Sequence, residues 1–206
     1  MTHIENILLC MASPLLIGIL SVKGGKPRQS MSFLLTGMIV CFLSAYINSF
    51  LAGVYHANAV QTAVEISPVV EEVMKALPMV WFLLVFRPQD RDSRNLLIFT
   101  ALGFATFENV CWMIENGSAS ILKLAVRGLA TGTMHIVAAS LVGLGMFYLW
   151  DQKWLYYAGT LGLLGAAITY HGMFNLLITA NAPVSYIGYA LPVVTALVML
   201  FLRQKR

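Results

Sequence analysis

The sequence predicts an all-α polytopic membrane protein in which about seven transmembrane helices form one bundle. Of its 206 residues, 59% are hydrophobic and 11% are charged, whereas a soluble domain carries about 25% charged residues. Apolar runs of about 20 residues, the length that crosses a bilayer as a helix, recur along the chain. The basic residues lie mostly in short segments between these runs, which is the pattern of a topology signal.

Seven apolar runs are long enough to span a bilayer. In chain order they cover residues 5–22, 31–54, 67–86, 95–114, 128–149, 154–179 and 184–202. Residues 119–127 are expected to form a separate interfacial segment before the fifth span. Because no soluble insertion, low-complexity tract or repeat is evident, residues 1–206 are expected to form a single transmembrane domain.

The distribution of lysine and arginine predicts how the bundle is oriented. Ten of the 13 basic residues fall in segments that share one side with the C-terminus, whereas Lys123 and Arg127 fall on the other side. Positively charged loops stay in the cytoplasm. We therefore expect a protein of the plasma membrane with its N-terminus outside and its C-terminus in the cytoplasm. The same distribution, with a net charge of only +4, indicates the lipid bilayer and not nucleic acid as a partner.

Ionisable side chains inside the predicted spans are the main indication of function. A charged residue at the centre of a membrane helix costs about 2.5–3.5 kcal/mol on insertion scales, so a group of them indicates a functional site. The six residues of this kind are Glu71, Glu72, Lys75, Glu108, His135 and His171.

The third span predicts where two of these carboxylates lie. Ser67 and Pro68 are suited to the N-cap and the first position of a helix. Glu71 and Glu72 would then lie about one turn below its outer end, where the helix dipole favours carboxylates. Lys75 follows at helical spacing and can pair with either glutamate.

The later spans place their polar groups at a similar depth. Glu108 is about 20 Å along the fourth span from its inner end, and His135 is about 12 Å from the outer side at 1.5 Å per residue. His171 also falls in the outer half of its span. Four helices thus direct polar groups toward one level, which predicts one site that opens outward.

A site of glutamate and histidine with no evident cofactor motif is suited to hydrolysis. Glutamate can act as a general base on water while histidine and asparagine stabilise the oxyanion. His171 and Asn175 share a helix face in HGMFN, although Asn175 alone could equally form an interhelical hydrogen bond. The chain lacks the HExxH, GxSG and GxGD signatures of other membrane proteases.

Four motifs in order resemble those of the PrsW family, membrane-embedded proteases akin to the type II CAAX prenyl proteases. They are EEVMK at 71–75, FATFE at 104–108, His135 followed by Gly145, and HGMFN at 171–175. The sequence departs from the CAAX pattern with EExxK in place of EExxxR and with Glu108 in place of a histidine. Both departures favour the PrsW family and count against prenylated substrates.

The resemblance implies a CAAX-protease-like helix bundle and an endopeptidase that cuts membrane-anchored proteins. Family members include one that makes the first, extracytoplasmic cut in an anti-sigma factor. Carried over to this chain, it implies that Glu71 is the general base and that Glu72 with Lys75 is an orienting ion pair. The division of roles between Glu71 and Glu72 stays open.

The remaining motif residues would complete the catalytic set. The resemblance implies that Glu108 and His135 position or activate the water, and that His171 and Asn175 bind the oxyanion. No cofactor is expected. The alternative is a zinc-dependent protease with Glu108, His135 and His171 as ligands, because two histidines and a carboxylate form a known catalytic zinc set.

An alternative from another functional class is a proton- or ion-coupled transporter. Intramembrane Glu, Lys and His residues also form proton relays. However, transporters often carry internal repeats, which are not apparent in this chain. Its polar groups are also predicted to lie at one depth instead of tracing a path across the membrane.

Overall fold

The computed structural model describes residues 4–86, 93, 95–117, 120–148 and 153–204, and every secondary-structure element in these ranges is helical. A three-residue helix and a π-helical turn, Thr62–Ile66, stand between the second and third of the long helices. The α-helices are α1 (Ile4–Ser21), α2 (Gly25–Tyr55), the short α3 (Ala59–Gln61), α4 (Ser67–Phe86), α5 (Asn95–Asn116), α6 (Ile121–Tyr148), α7 (Lys153–Thr179) and α8 (Val184–Gln204). This confirms the predicted all-α membrane bundle.

Six of the seven long helices in the described ranges are long and apolar enough to cross a membrane. The exception is α4, which carries Glu71, Glu72 and Lys75 within its 20 residues. Its charged side chains Glu72 and Lys75 are buried in the bundle, while Leu77 and Leu84 are exposed on its apolar outer face. This is the reverse of a water-soluble helix, and it suits a helix whose outer face meets lipid.

The α2 and α5 helices meet through their backbones. A Cβ atom on Gly37 would lie 2.0 Å from the Thr100 carbonyl oxygen, and one on Gly103 would lie 1.9 Å from the Leu34 carbonyl oxygen. Only glycine permits so close an approach of two membrane helices. The contact holds the FATFE segment of α5, which includes Glu108, against α2.

The expectation of a separate segment at 119–127 is wrong. The α6 helix runs without a break from Ile121 to Tyr148, because ILKLAVR contains no helix-breaking residue. Arg127, expected from the sequence to lie in that segment, therefore lies inside a helix and is only 9% exposed.

The expectation that Ser67 caps a helix is also wrong. The helical path begins at Asn58, whose side-chain oxygen accepts a hydrogen bond from the Gln61 N–H at 2.9 Å, while the Gln61 side chain accepts from the Asn58 N–H at 3.0 Å. This is a capping box. Ser67 has helical dihedral angles. Glu71 is thus far from the helix start, beyond the first turn in which the helix dipole acts.

The orientation of the bundle stays a prediction. Many of the basic residues on which it depends lie outside the described residues: Arg87, Arg91, Arg94, Lys205 and Arg206.

Candidate active site

The structure brings together the ionisable residues that the sequence singled out on four separate helices. Glu71 and Glu72 come from α4, Glu108 from α5, His135 from α6 and His171 from α7. Their side chains form one continuous set of polar contacts with Lys75, as the common depth predicted.

Glu72 is the buried carboxylate of this set. Its side chain is 1% exposed, and its Oε1 atom lies 2.7 Å from Lys75 Nζ and 2.8 Å from His171 Nδ1. The ion pair that the sequence left open between two glutamates is therefore formed by Glu72. Because Glu72 holds both Lys75 and His171, its position suits an orienting residue.

His135 is held in one tautomer by its two neighbours. Lys75 Nζ lies 2.7 Å from His135 Nδ1, and Glu108 Oε2 lies 2.7 Å from His135 Nε2. A lysine ammonium can only donate, so Nδ1 accepts and Nε2 donates its proton to Glu108. The Phe104 ring covers Lys75, with Nζ 4.8 Å from its centroid, which is a cation–π contact.

Glu71 is less enclosed than Glu72. Its side chain is 13% exposed, its Oε1 atom accepts a hydrogen bond from Asn48 Nδ2 at 3.3 Å, and its Oε2 atom lies 3.9 Å from His171 Nε2. That separation is too long for a direct hydrogen bond, so a water molecule or substrate oxygen can contact both groups. Glu71 is therefore the better placed of the two glutamates to act on water.

Glu108 lies at the open edge of the site. Its side chain is 31% exposed, and its Oε1 atom lies 3.5 Å from Arg127 Nη2. Arg127 Nη1 donates to the Asn109 side chain, and the guanidinium lies 4.2 Å from the centroid of the Trp112 ring. Glu108 is thus fixed between His135 on one oxygen and Arg127 on the other.

Asn175 contacts the backbone and not the carboxylates. Its Nδ2 atom donates to the Ala63 carbonyl oxygen in the π-helical turn at 2.8 Å. This is the interhelical hydrogen bond that the sequence offered as one of two roles for Asn175. Its role in binding the oxyanion stays a prediction.

Sequence reasoning did not single out Asn48, Asn109 or Arg127 as parts of the site. Asn48 carried a signal, because it is a polar residue inside the apolar run 31–54, where such residues often bind neighbouring helices. Arg127 directly precedes the apolar run 128–149, so its position in the sequence indicates only a topology residue. Its contact with Glu108 depends on how α5 packs against α6.

Three of the site residues could hold a metal ion. Glu71, His135 and His171 each offer a ligand atom, and these atoms lie within 4.8 Å of one another. Two imidazoles and a carboxylate are a donor set of catalytic zinc, and Glu72 orients His171 as a carboxylate does behind a zinc ligand. The three residues fit zinc in type and separation.

To bind zinc, His135 would have to give up one of its two hydrogen bonds, because Lys75 and Glu108 occupy both of its ring nitrogens. The sequence predicts Glu108 as the carboxylate ligand. In the structure Glu108 bonds to His135, and Glu71 is the carboxylate in the group of three. When bound, zinc would lower the pKa of a water ligand and polarise the substrate carbonyl.

Comparison with known proteins agrees with the family resemblance of the four motifs. A model of the PrsW family, described as intramembrane metalloproteases, matches residues 26–202. No curated protein and no solved structure matches the chain. The family match includes all the site residues, and membership implies a peptidase that acts on proteins in the membrane. The chain belongs to the PrsW family of intramembrane proteases.

Proposed function

We propose that the chain is an endopeptidase that cuts membrane-anchored proteins near the extracytoplasmic face of the plasma membrane, with Glu71 as the general base. The contrast between the two adjacent glutamates carries the assignment of Glu71 as the base. Glu72 is enclosed by Lys75 and His171, whereas Glu71 is partly exposed and faces His171 across a gap of 3.9 Å. The extracytoplasmic location of the cut rests on the distribution of basic residues.

The proposed reaction is hydrolysis of a peptide bond. Glu71 takes a proton from water as the water oxygen attacks the substrate carbonyl carbon. His171, whose Nδ1–H donates to Glu72, can carry a proton on Nε2 and donate it in a hydrogen bond to the oxyanion. The C–N bond then breaks as Glu71 returns its proton to the leaving nitrogen, which yields a carboxylic acid and an amine.

Glu108 and His135 are proposed to position this machinery. Lys75 donates to His135 on one side and Glu108 accepts from it on the other. We therefore propose that the hydrogen-bonded pair fixes one polar side of the water site, and the 31% exposure of Glu108 supports a position beside the entering substrate segment.

The test compares Glu71→Gln with Glu65→Gln. A comparison of membrane proteins from cells with the wild-type or the Glu71→Gln copy identifies fragments that disappear. The purified substrate is then cleaved in proteoliposomes. We expect Glu71→Gln to lower kcat on the order of 10³-fold, as removal of a general base does. Glu65 is an exposed glutamate of the π-helical turn, so its replacement should have little effect.

Wild-type activity in both Glu71→Gln and His171→Ala would overturn the proposal. Loss of cleavage in Glu72→Gln, with full activity in Glu71→Gln, would instead transfer the role of base to Glu72. The thermal unfolding of each variant is measured alongside, so that loss of folding is not taken for loss of catalysis. The peptidase class itself rests on the family match, which favours hydrolysis over transport.

A second version of the same hydrolysis depends on zinc. It is favoured by the separations among Glu71, His135 and His171 and by the description of the family. It predicts about one zinc per chain in the purified protein, loss of zinc in His171→Ala, and inhibition by a chelator that added zinc reverses. A metal-free preparation with full, chelator-resistant activity would rule this version out.

A further inference from the structure

Pro68 creates a defect in the helix that carries the two glutamates. In the π-helical turn before α4, the Ser67 N–H donates to the Thr62 carbonyl, five residues back. The next bond in this register would run from the N–H of residue 68 to the Ala63 carbonyl. Proline has no N–H, so the Ala63 carbonyl lacks a backbone donor at this point.

Asn175 supplies the missing donor from another helix. Its Nδ2 atom lies 2.8 Å from the Ala63 carbonyl oxygen, the length of a good hydrogen bond. A carbonyl away from water is costly without such a partner. The side chain of α7 thus replaces a backbone donor that the sequence of α4 excludes.

Two further residues of HGMFN contact the same region. His171 Nδ1 bonds to Glu72 Oε1 at 2.8 Å. A Cβ atom on Gly172 would lie 3.2 Å from the Val64 carbonyl oxygen and 3.8 Å from the Pro68 ring. One face of α7 therefore bonds to the π-helical turn through Asn175, packs closely on it at Gly172, and bonds to Glu72 through His171.

We infer that Asn175 is a positioning residue, whose amide completes the interrupted hydrogen bonding at Ala63 and thereby sets Glu71 and Glu72 against His171. The inference rests on the proposed function for its effect on catalysis and on the geometry alone for its effect on folding. It assigns to Asn175 a role in the enzyme without substrate, which a contact with an oxyanion would not have.

The experiment is a double-mutant cycle on the full-length protein with Asn175→Ala, Pro68→Ala and the double variant. The Pro68→Ala substitution restores a backbone N–H beside the Ala63 carbonyl, so it removes the need for Asn175. We expect Asn175→Ala to lower the thermal unfolding midpoint by about 5 °C in the native background. In the Pro68→Ala background the shift should be less than half as large. Equal shifts of the unfolding midpoint in the two backgrounds would overturn the inference that Asn175 replaces a backbone donor.

The catalytic arm uses cleavage of the membrane substrate at a temperature at which every variant is folded. A misplaced base predicts that Asn175→Ala lowers kcat by about 10–100-fold with KM changed less than about 2-fold. Asn175→Gln, which keeps the amide, should retain more activity than Asn175→Asp, which has no N–H donor. An unchanged kcat in Asn175→Ala, or equal activity of the Gln and Asp variants, would overturn the positioning role.

Failure of the two proposals can be told apart. A wild-type chain that cuts no membrane protein would contradict the proposed peptidase, while the unfolding cycle would still test the bond between Asn175 and Ala63. Normal wild-type cleavage with additive unfolding shifts would contradict the inference alone.

Discussion

The polar and apolar halves of the bundle are built from the same helices but are opposite in chemistry. The polar half holds the contacts among Glu71, Glu72, Lys75, His135 and His171. In the apolar half, continuations of the same helices form an apolar cluster that includes Met79, Leu83, Leu97, Ala138 and Val142. The comparison indicates that packing in the apolar half holds the helices in place, while the polar half can be less stable and more reactive.

Disruption of the ion pair between Lys75 and Glu72 should have the largest effect on the free energy of unfolding, because both side chains are buried. Lys75→Met leaves the Glu72 carboxylate buried without its cation, and breaking a buried pair costs about 3–5 kcal/mol. We expect a large drop in the thermal unfolding midpoint of Lys75→Met and loss of cleavage.

The matched control is the double variant Lys75→Met with Glu72→Gln, which removes the unpaired charge. It should recover most of the stability without recovering activity, since His171 and His135 lose their charged partners. Recovery of both, or no loss of stability in Lys75→Met, would contradict the view that this pair is the main electrostatic contact of the polar half.

A core substitution in the apolar half should separate stability from catalysis. Met79 is fully buried in the apolar cluster, and Met79→Ala should cost about 2–5 kcal/mol through lost contacts and a cavity. Measured well below its unfolding midpoint, the variant should keep its kcat within about 3-fold of wild type. A kcat loss as large as that of Glu71→Gln would show that the two halves are not separable.

Substitution of Asn48 should show the opposite pattern, in which activity falls while the free energy of unfolding changes least. Its Nδ2 atom bonds to Glu71, while its Oδ1 atom is buried with no hydrogen-bond partner among the described residues. Asn48→Ala removes one bond and one unpaired acceptor, so its effects on unfolding roughly offset.

Loss of the donor that orients Glu71 should lower kcat of Asn48→Ala by about 10-fold. Asn48→Asp should be worse, because it places a second carboxylate beside Glu71. Full activity in both variants would show that Glu71 does not depend on α2.

The fold and the membership of the site were largely predictable from the sequence, and the contacts within the site were not. Apolar runs predict helices because each span needs about 20 such residues. Charged residues inside those runs indicate a site because they are costly in a membrane. Spacing alone could not predict that Lys75 pairs with Glu72 instead of Glu71, since both glutamates lie at helical spacing from Lys75.

Two errors have different physical causes. The pattern of Ser67 and Pro68 favours a helix start, yet the helical path continues through both because a π-helical turn accommodates the proline and Asn175 bonds to Ala63. Residues 119–127 are expected to form a separate segment that includes Arg127, yet α6 runs through Arg127 because ILKLAVR contains no helix-breaking residue. The first error depends on a contact between distant residues, whereas the second concerns only the local sequence.

The sequence by itself determined the helices, the membrane environment and the ionisable residues within the spans that meet in one cluster, because these follow from local composition and from the cost of charge in lipid. The packing of α2, α5, α6 and α7 around α4 decided which glutamate is enclosed, which tautomer His135 holds and which partner each carboxylate has. These properties depend on side chains that meet only in the folded bundle, and short-range spacing carries no information about them.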